Sequence, residues 1–70
     1  MKINNTSDFG LVVKKRRKEL GYTQKYISEF TGLSISFISD LENGKSTIEM
    51  GKAFELVKLL GLNIELVERG

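Results

Sequence analysis

Thr23–Gly44 has the sequence TQKYISEFTGLSISFISDLENG, and its first half has the pattern of a short amphipathic helix. Thr23 is a preferred N-cap residue, and the apolar residues Ile27 and Phe30 follow it at helical spacing. Gly32 comes next, and glycine readily adopts the positive φ angle with which many helices end. The sequence therefore predicts a helix that begins after Thr23 and ends at Gly32.

A second short helix is predicted directly after this glycine. Ser34 is a preferred N-cap, and Gly44 is expected as the left-handed residue that ends the helix. The inward positions would be Phe37, Ile38 and Leu41. Two helices joined by a short turn that contains glycine have the layout of the DNA-binding helix-turn-helix motif, whose second helix lies in the major groove.

The composition limits the kinds of protein that this chain can be. Its 70 residues predict one domain, which at this length is marginally stable alone. It has no cysteine and no histidine, so disulfides, thiolate metal sites and the commonest general base are excluded. Oligomerisation is the expected additional support. The lack of cysteine, of an apolar run of about 20 residues and of an apolar core in MKINNTSD favours a cytoplasmic protein without a membrane segment.

The charged residues favour binding rather than catalysis. The net charge of +2 is small, but Lys14–Lys18 is an unbroken basic run, KKRRK. Such a run can bind phosphate, bind an acidic partner or face water, and the sequence leaves all three open. No pair of carboxylates, glycine-rich phosphate loop, metal-ligand set or nucleophile motif stands out. We therefore expect a protein that is not an enzyme and that takes no cofactor or metal.

Another helix is predicted before the central pair, from about Asp8 to Leu20. Thr6 or Ser7 would cap it, and Gly21 would end it. Its apolar stripe would be Phe9, Val13 and Leu20, with Val12 or Arg16 at the edge.

A fourth helix is predicted after the central pair, from about Ile48 to Leu60. Ser46 or Thr47 would cap it. Gly51 weakens such a helix by about 1 kcal/mol relative to alanine, which favours a close approach of another backbone there. The buried stripe would be Met50, Phe54, Val57 and Leu60, with Ala53 beside it.

The tail changes from helical to strand periodicity. Apolar and polar residues alternate from Leu62 to Leu66, with Leu62, Ile64 and Leu66 on the apolar side. A single strand leaves backbone donors and acceptors unpaired. We therefore expect the same strand of a second copy to pair with it antiparallel across a two-fold axis. A frayed tail or a hairpin with residues 2–4 is the alternative.

Several residues, in register, resemble the XRE/Cro-repressor type of helix-turn-helix protein. They are Phe9-Gly10, Arg17, Gly21-Tyr22-Thr23-Gln24, Gly32-Leu33-Ser34, Ile38-Ser39 and Leu41-Glu42-Asn43-Gly44. The resemblance implies an all-α, lambda-repressor-like helix-turn-helix bundle of four helices. The single domain would consist of an N-terminal arm (residues 1–7), a helical core (8–61) and a C-terminal β-strand (62–68) that pairs across a homodimer.

The final segment, GLNIELVERG, is most similar to HipB-type antitoxins. In that group the C-terminal strands of two subunits pair, the partner is a HipA-type kinase toxin, and the complex represses its own operon. This chain departs from the wider family in two ways. It has no proline before its fourth helix, and its third helix offers serine and aspartate where glutamine or arginine is common. The operator that it reads is therefore expected to differ.

The third helix is expected to contact base edges. The candidates are Ser34, Ile35, Ser36, Ser39 and Asp40. Serine discriminates weakly between bases and Ser34 can act as a cap alone, whereas Ile35 can contact a thymine methyl group. Asp40 can accept a hydrogen bond from cytosine N4 or can instead pair with Lys45, and the sequence leaves both open.

Residues at the helix ends are expected to contact the DNA backbone. Gln24 begins the second helix, where backbone N–H groups favour anions, and the family resemblance gives it a phosphate contact. The other candidates are Lys25, Asn43, Lys45, Ser46 and Thr47. The resemblance implies that the first helix packs behind the motif, so only part of the basic run, which includes Lys14 and Lys18, can approach DNA. The resemblance also implies a partly buried salt bridge between Arg17 and Glu42.

These features predict a dimeric repressor that binds double-stranded DNA. Its two recognition helices would enter successive major grooves, about 34 Å apart, on an inverted-repeat operator. The alternative is a protein-interaction module that mainly binds and inhibits a kinase toxin. A stand-alone phage-type repressor with no toxin partner is a third candidate.

Overall fold

The computed structural model describes residues 2–70, so Met1 of the predicted arm lies outside the described residues. Four helices form: α1 (Thr6–Glu19), α2 (Gln24–Thr31), α3 (Ile35–Glu42) and α4 (Met50–Leu59). Their inner sides enclose one core of Val13, Ile27, Leu33, Ile38, Leu41, Ala53, Leu56, Val57 and Leu60. The predicted all-α bundle is confirmed. Among the described residues, no helix has the length and apolar character needed to cross a membrane.

The two central helices have the ends that the sequence predicts. The Thr23 hydroxyl accepts a hydrogen bond of 3.0 Å from the Tyr26 backbone N–H. The Ser34 hydroxyl accepts one of 3.0 Å from the Phe37 backbone N–H. Between the helices, Gly32 has a φ angle of +81°, which residues with a Cβ rarely adopt. The turn that sets α3 against α2 therefore depends on this glycine.

The first helix, α1, begins earlier than the sequence predicts. Asn5, not Thr6 or Ser7, is its N-cap, and the Asn5 side chain accepts a hydrogen bond of 2.8 Å from the Asp8 N–H. The expected arm therefore loses its last two residues to the helix. Five consecutive residues of good capping type, Asn4 to Asp8, occur here, and local preference alone does not choose among them.

The buried side of α1 also differs from the predicted stripe. It consists of Gly10, Val13 and Arg17, whereas Phe9 is half-buried and Leu20 is exposed. An apolar pattern misses this side because it contains a glycine and a charged residue.

The fourth helix, α4, begins later than predicted and turns a different side to the core. Glu49 caps it, rather than Ser46 or Thr47. Met50 and Phe54, both expected to be buried, are 67% and 42% exposed. Ala53, Val57 and Leu60 are buried as expected, and Leu56, which lies outside the predicted stripe, completes the buried side. This helix carries two overlapping apolar stripes, and the rest of the chain covers only one of them.

The close approach between helices occurs at Gly10, not at Gly51. A Cβ on Gly10 would lie 2.6 Å from the Glu42 carbonyl oxygen, so only glycine lets α1 touch the backbone at the end of α3. A Cβ on Gly51 would meet nothing nearer than a Glu49 carboxylate oxygen at 3.4 Å. The backbone contact expected at Gly51 is therefore wrong.

Residues 62–70 leave the end of α4 without forming a strand within the described chain. The Leu62 N–H donates to the Val57 carbonyl at 3.0 Å, and no backbone hydrogen bond joins the tail to residues 2–4. The alternative hairpin is therefore wrong. Pairing of residues 62–68 with a second copy requires that copy, so it stays a prediction.

Candidate nucleic-acid interface

The third helix has an apolar side and a polar side. Ile38 and Leu41 lie in the core. Because a helix turns by about 100° per residue, the opposite side is occupied by Ser36, Ser39, Asp40 and Asn43. Ser36 and Asn43 are exposed, and Ser39 and Asp40 are partly exposed. We call these four residues the recognition face. Ile35 lies at its edge and is 46% exposed.

A reversal of the chain at the end of α3 brings Lys45 back to Asp40. Gly44 has a φ angle of +81°, and its N–H donates to the Leu41 carbonyl at 3.0 Å. The Lys45 N–H donates to the Asp40 carbonyl at 3.0 Å. The Lys45 ammonium then lies 3.4 Å from the Asp40 carboxylate, with both side chains about half exposed. The pairing that the sequence left open is therefore present.

The start of α1 packs against this turn. The Thr6 hydroxyl donates to the Gly44 carbonyl at 2.8 Å. A Cβ on Gly44 would lie 2.8 Å from the Ser7 Cα. Together with the Gly10 contact, these approaches fix the end of the recognition face relative to α1.

A buried ion pair joins α1 to the last residue of α3. The Arg17 Nε donates to one Glu42 carboxylate oxygen at 2.7 Å, and the Arg17 Nη2 donates to the other at 2.9 Å. The two side chains are only 9% and 2% exposed. The hydrogen bond to Glu42 raises the pKa of the Arg17 guanidinium above its ordinary value, although burial opposes the change. The salt bridge implied by the family resemblance is thus present.

Gln24 is held by the same carboxylate. Its Nε2 donates to a Glu42 oxygen at 3.2 Å, which places the side chain at the junction of α2 and α3. The Arg17 Nη1 donates to the Tyr22 carbonyl at 2.8 Å, just before α2. The start of α2 is therefore anchored through Glu42 to both neighbouring helices. The phosphate contact expected of Gln24 stays a prediction.

The basic run divides between two roles that the sequence does not separate. Arg16 and Arg17 serve the interior, since the Arg16 Nε donates to the Leu60 carbonyl at 2.8 Å and so binds the end of α4. The three lysines lie with Leu11 around a shallow depression on the outer side of α1: Lys14, Lys15 and Lys18. These lysines can present their charge to a partner or to water.

The other residues expected to bind phosphate lie on the surface. The exposed candidates are Lys25, Asn43, Lys45, Ser46 and Thr47. Except for Lys25, which is near the start of α2, they follow one another at the end of α3 and in the loop before α4. Lys45, Ser46 and Thr47 thus come shortly after Asn43, the last residue of the recognition face.

A row of three stacked aromatic residues, of which Tyr26 and Phe30 are exposed and Tyr22 packs half-buried against the core, is the main surface feature that the sequence did not predict. Tyr22 and Tyr26 stack with ring centroids 4.9 Å apart, and Tyr26 and Phe30 stack at 6.2 Å. Phe30, which follows Ile27 at helical spacing, is 65% exposed. We call these three residues the aromatic ridge. Their regular spacing of four residues was the available signal, because Tyr26 and Phe30 are neighbours on α2 and Tyr22 lies just before its N-cap.

The carboxylates of the described chain are dispersed. Among residues 2–70, no group of three or more His, Cys, Asp or Glu side chains is placed to hold a metal ion. Asp40 and Glu42 are instead paired with cationic side chains.

The helix α3, which has a buried inner side and a polar outer side, follows α2 after the turn at Gly32. This arrangement defines a helix-turn-helix protein, and comparisons with known proteins agree. The chain matches the Helix-turn-helix family over residues 13–67. It is 33% identical over 69 residues to the uncharacterized HTH-type transcriptional regulator y4mF of Sinorhizobium fredii, covering 99% of this chain and 91% of that protein. The chain belongs to the XRE-type helix-turn-helix family of transcriptional regulators.

Solved structures show the same fold over the full length of the chain. A chain of a HipB–O4 20mer complex has a TM-score of 0.89 at 23% identity, covering 100% of this chain and 99% of that chain. A chain of a HipA–HipB–O2–O3 complex gives the same TM-score, identity and coverage. At this identity the likeness establishes the fold alone, and it confirms the predicted helix-turn-helix bundle.

Proposed function

We propose that this chain is a sequence-specific transcriptional repressor that binds double-stranded DNA as a homodimer. The recognition face of α3 is the observation that carries the proposal. Its polar side chains lie on the outer side of a helix whose inner side is fixed by the core and by Glu42. A helix held in this way can enter the major groove and place polar groups against base edges.

Groups suited to phosphate binding flank this face. Lys25 follows the start of α2, and Lys45, Ser46 and Thr47 follow the end of α3. Such contacts fix the orientation of a protein on DNA without reading its sequence. Because each of them displaces counterions, the affinity for any duplex should fall steeply as salt is added.

An uncovered apolar surface on α4 and the tail supports the homodimer. Phe54, Leu62, Ile64 and Leu66 line one shallow pocket, and Leu66 is 98% exposed. Large exposed apolar surfaces usually mark an interface. A second copy related by a two-fold axis would cover this surface and would let the strands over residues 62–68 pair antiparallel. The same axis would place two recognition faces on an inverted repeat.

We propose further that the chain is the antitoxin of a HipA-type toxin–antitoxin operon, which it represses. The tail resembles those of HipB-type antitoxins, and the solved structures with the same fold include a HipA–HipB–O2–O3 complex. The aromatic ridge supports a protein-interaction role, because two of its side chains, Tyr26 and Phe30, are exposed on α2, a helix outside the apolar surface of α4 and the tail.

Selection of bound fragments from random duplex DNA tests the repressor function. We expect an enriched inverted repeat whose half-sites are centred about 34 Å apart, or one helical turn. Binding to it should weaken strongly between low and physiological salt. A selection that enriches no sequence, or an affinity that is indifferent to salt, would contradict the proposal.

Co-expression with a kinase-like protein encoded beside this gene tests the antitoxin function. We expect the two proteins to purify together and the toxicity of the kinase to be suppressed. A Phe30→Ser variant should weaken this complex while leaving DNA binding intact. If the wild-type proteins do not associate, the stand-alone repressor is the correct alternative.

A further inference from the structure

The end of α3 has an ion pair at a place where helices often have an apolar contact. Three helices of this chain end in the same way, at Gly21, Gly44 and Gly61, each with a positive φ angle. After each glycine, the next backbone N–H bonds to the carbonyl five residues earlier. In this motif, side chains near those two positions often make a hydrophobic contact. The two residues are Val57 and Leu62 at the end of α4, but Asp40 and Lys45 at the end of α3.

The exposed ion pair between Asp40 and Lys45 is expected to contribute little to folding stability. The two side chains are 44% and 54% exposed, and the ammonium lies 3.4 Å from the carboxylate. Exposed ion pairs of this kind contribute little to folding. Asp40 is the only charged residue of the recognition face, and an unpaired carboxylate there would be repelled by every phosphate of an approaching duplex.

We propose that Asp40 is a specificity-determining residue that selects a C·G base pair and that Lys45 is its positioning residue. The inference rests on the proposed function as a DNA-binding protein. In the major groove, cytosine presents its N4 amino group as a donor, and an aspartate can accept from it. Adenine also has an amino donor, but its N7 acceptor lies beside it and repels a carboxylate. Guanine and thymine present acceptors at the corresponding positions.

The geometry gives Lys45 two tasks. It bonds one carboxylate oxygen, Oδ2, which leaves Oδ1 as the acceptor for a base. It also offsets the charge of Asp40, so that a carboxylate can approach DNA. The backbone bond from the Lys45 N–H to the Asp40 carbonyl keeps the lysine in place, whereas residues five apart on an uninterrupted helix do not face each other.

Selection from random duplex DNA with wild type, Asp40→Asn and Glu55→Gln tests this assignment. Glu55 is an exposed carboxylate on α4, so its variant removes the same charge elsewhere. Wild type and Glu55→Gln should both require cytosine at one position of each half-site. The Asp40→Asn variant should lose this preference by about tenfold or more and shift it toward adenine, the base that asparagine contacts with two hydrogen bonds.

A Lys45→Met variant tests the positioning role. Its affinity should fall for all sequences, and its preference for cytosine should also decrease. In an Asp40→Asn background the same substitution should cost less affinity, because no carboxylate is then left without its cation. A pair that serves folding alone would change the melting temperature and leave base preference unchanged.

The outcomes distinguish the proposed role of Asp40 from the proposed repressor function. If wild type selects an inverted repeat and Asp40→Asn selects the same bases, the role of Asp40 is overturned and the repressor function stands. If wild type selects no sequence at all, both are overturned. Circular dichroism should show that each variant retains the helical content of wild type.

Discussion

Glu42 is the residue at which three helices meet. It ends α3, and its carboxylate accepts hydrogen bonds from Arg17 of α1 and Gln24 of α2. A buried carboxylate that loses its partner costs far more than an exposed one, because water does not replace the lost bonds. The orientation of α3 therefore depends more on Arg17 than on any exposed charge.

Replacement of Arg17 by methionine should lower the free energy of unfolding by about 3–5 kcal/mol, because it leaves Glu42 buried without its cation. Urea denaturation measures the change. The double variant Arg17→Met/Glu42→Met should recover much of the loss, since it buries no charge. A single variant as stable as wild type would show that the pair does not hold α3.

The contribution of Arg17, in its pair with Glu42, to folding stability depends on pH in a definite direction. The pKa of Arg17 is raised in the folded state, so its contribution is complete below the pKa of the unfolded chain and is lost only as pH rises through the folded value. Because arginine stays protonated at all ordinary pH values, urea denaturation of wild type at about pH 6 and 9 should show no loss of stability that comes from titration of Arg17.

Two glycines on different helices form a matched pair of tests. Gly10→Ala should destabilise the protein by several kcal/mol or prevent folding, because the new Cβ would overlap the Glu42 carbonyl. Gly51→Ala should instead stabilise it by up to about 1 kcal/mol, because the new Cβ would make only an ordinary contact with the flexible Glu49 side chain and alanine favours a helix. Thermal melting of both variants checks the contrast, and equal effects would be inconsistent with the packing of α1 on α3.

The capping residues set where each helix of this fold begins. How well the sequence predicts them differs from helix to helix. At Thr23 and Ser34 a single capping residue precedes each helix, and the sequence identifies both. At Asn5 and Glu49 other capping residues lie close by, and the choice depends on tertiary contacts. The Thr6 hydroxyl, for example, bonds the Gly44 carbonyl instead of capping α1.

Two serines, one at the N-cap of α3 and one on its exposed side, distinguish a contribution to folding stability from a contribution to DNA recognition. Ser34→Ala should lower the unfolding free energy by about 1 kcal/mol, because it removes the bond to the Phe37 N–H. Ser36→Ala, on the exposed side of the same helix, should change stability by less than about 0.5 kcal/mol. It should nevertheless weaken binding to the selected DNA, as measured by fluorescence anisotropy. If only Ser34→Ala affects DNA binding, the recognition face is assigned wrongly.

For the molecule as a whole, the apolar surface on α4 and the tail is the feature that one chain leaves uncovered. Met50 and Phe54 extend it along α4, and Leu66 extends it along the tail. The core beneath is complete without this surface, since Ile27, Ile38 and Leu56 are fully buried within a single chain. A second copy is therefore expected to add stability rather than to complete the fold.

Substitutions in the tail distinguish a paired strand from a free tail. Leu66→Lys should convert the dimer to a monomer and greatly reduce operator affinity, because residues 62, 64 and 66 form the apolar side of the predicted strand. Val67→Lys, one residue later and also exposed, should point to the other side and leave the dimer intact. Light scattering after size exclusion gives the masses. A wild-type chain that is monomeric at all concentrations would rule out the pairing.

The sequence by itself determined the features that depend on neighbouring residues. The caps at Thr23 and Ser34, the glycine turn between them and the inward positions Ile38 and Leu41 follow from local preferences and helical spacing. These features are enough to specify a helix-turn-helix unit, and the residues in register were enough to indicate its family.

Only the tertiary structure decided which side of each outer helix is buried. Gly10, Arg16 and Arg17 act through residues far along the chain, and no local pattern indicates a carbonyl or carboxylate that another helix supplies. Likewise, the choice between the two apolar stripes of α4 depends on the fit of all four helices. Packing sums contacts between distant segments, and therefore it can override the spacing of apolar residues within one segment.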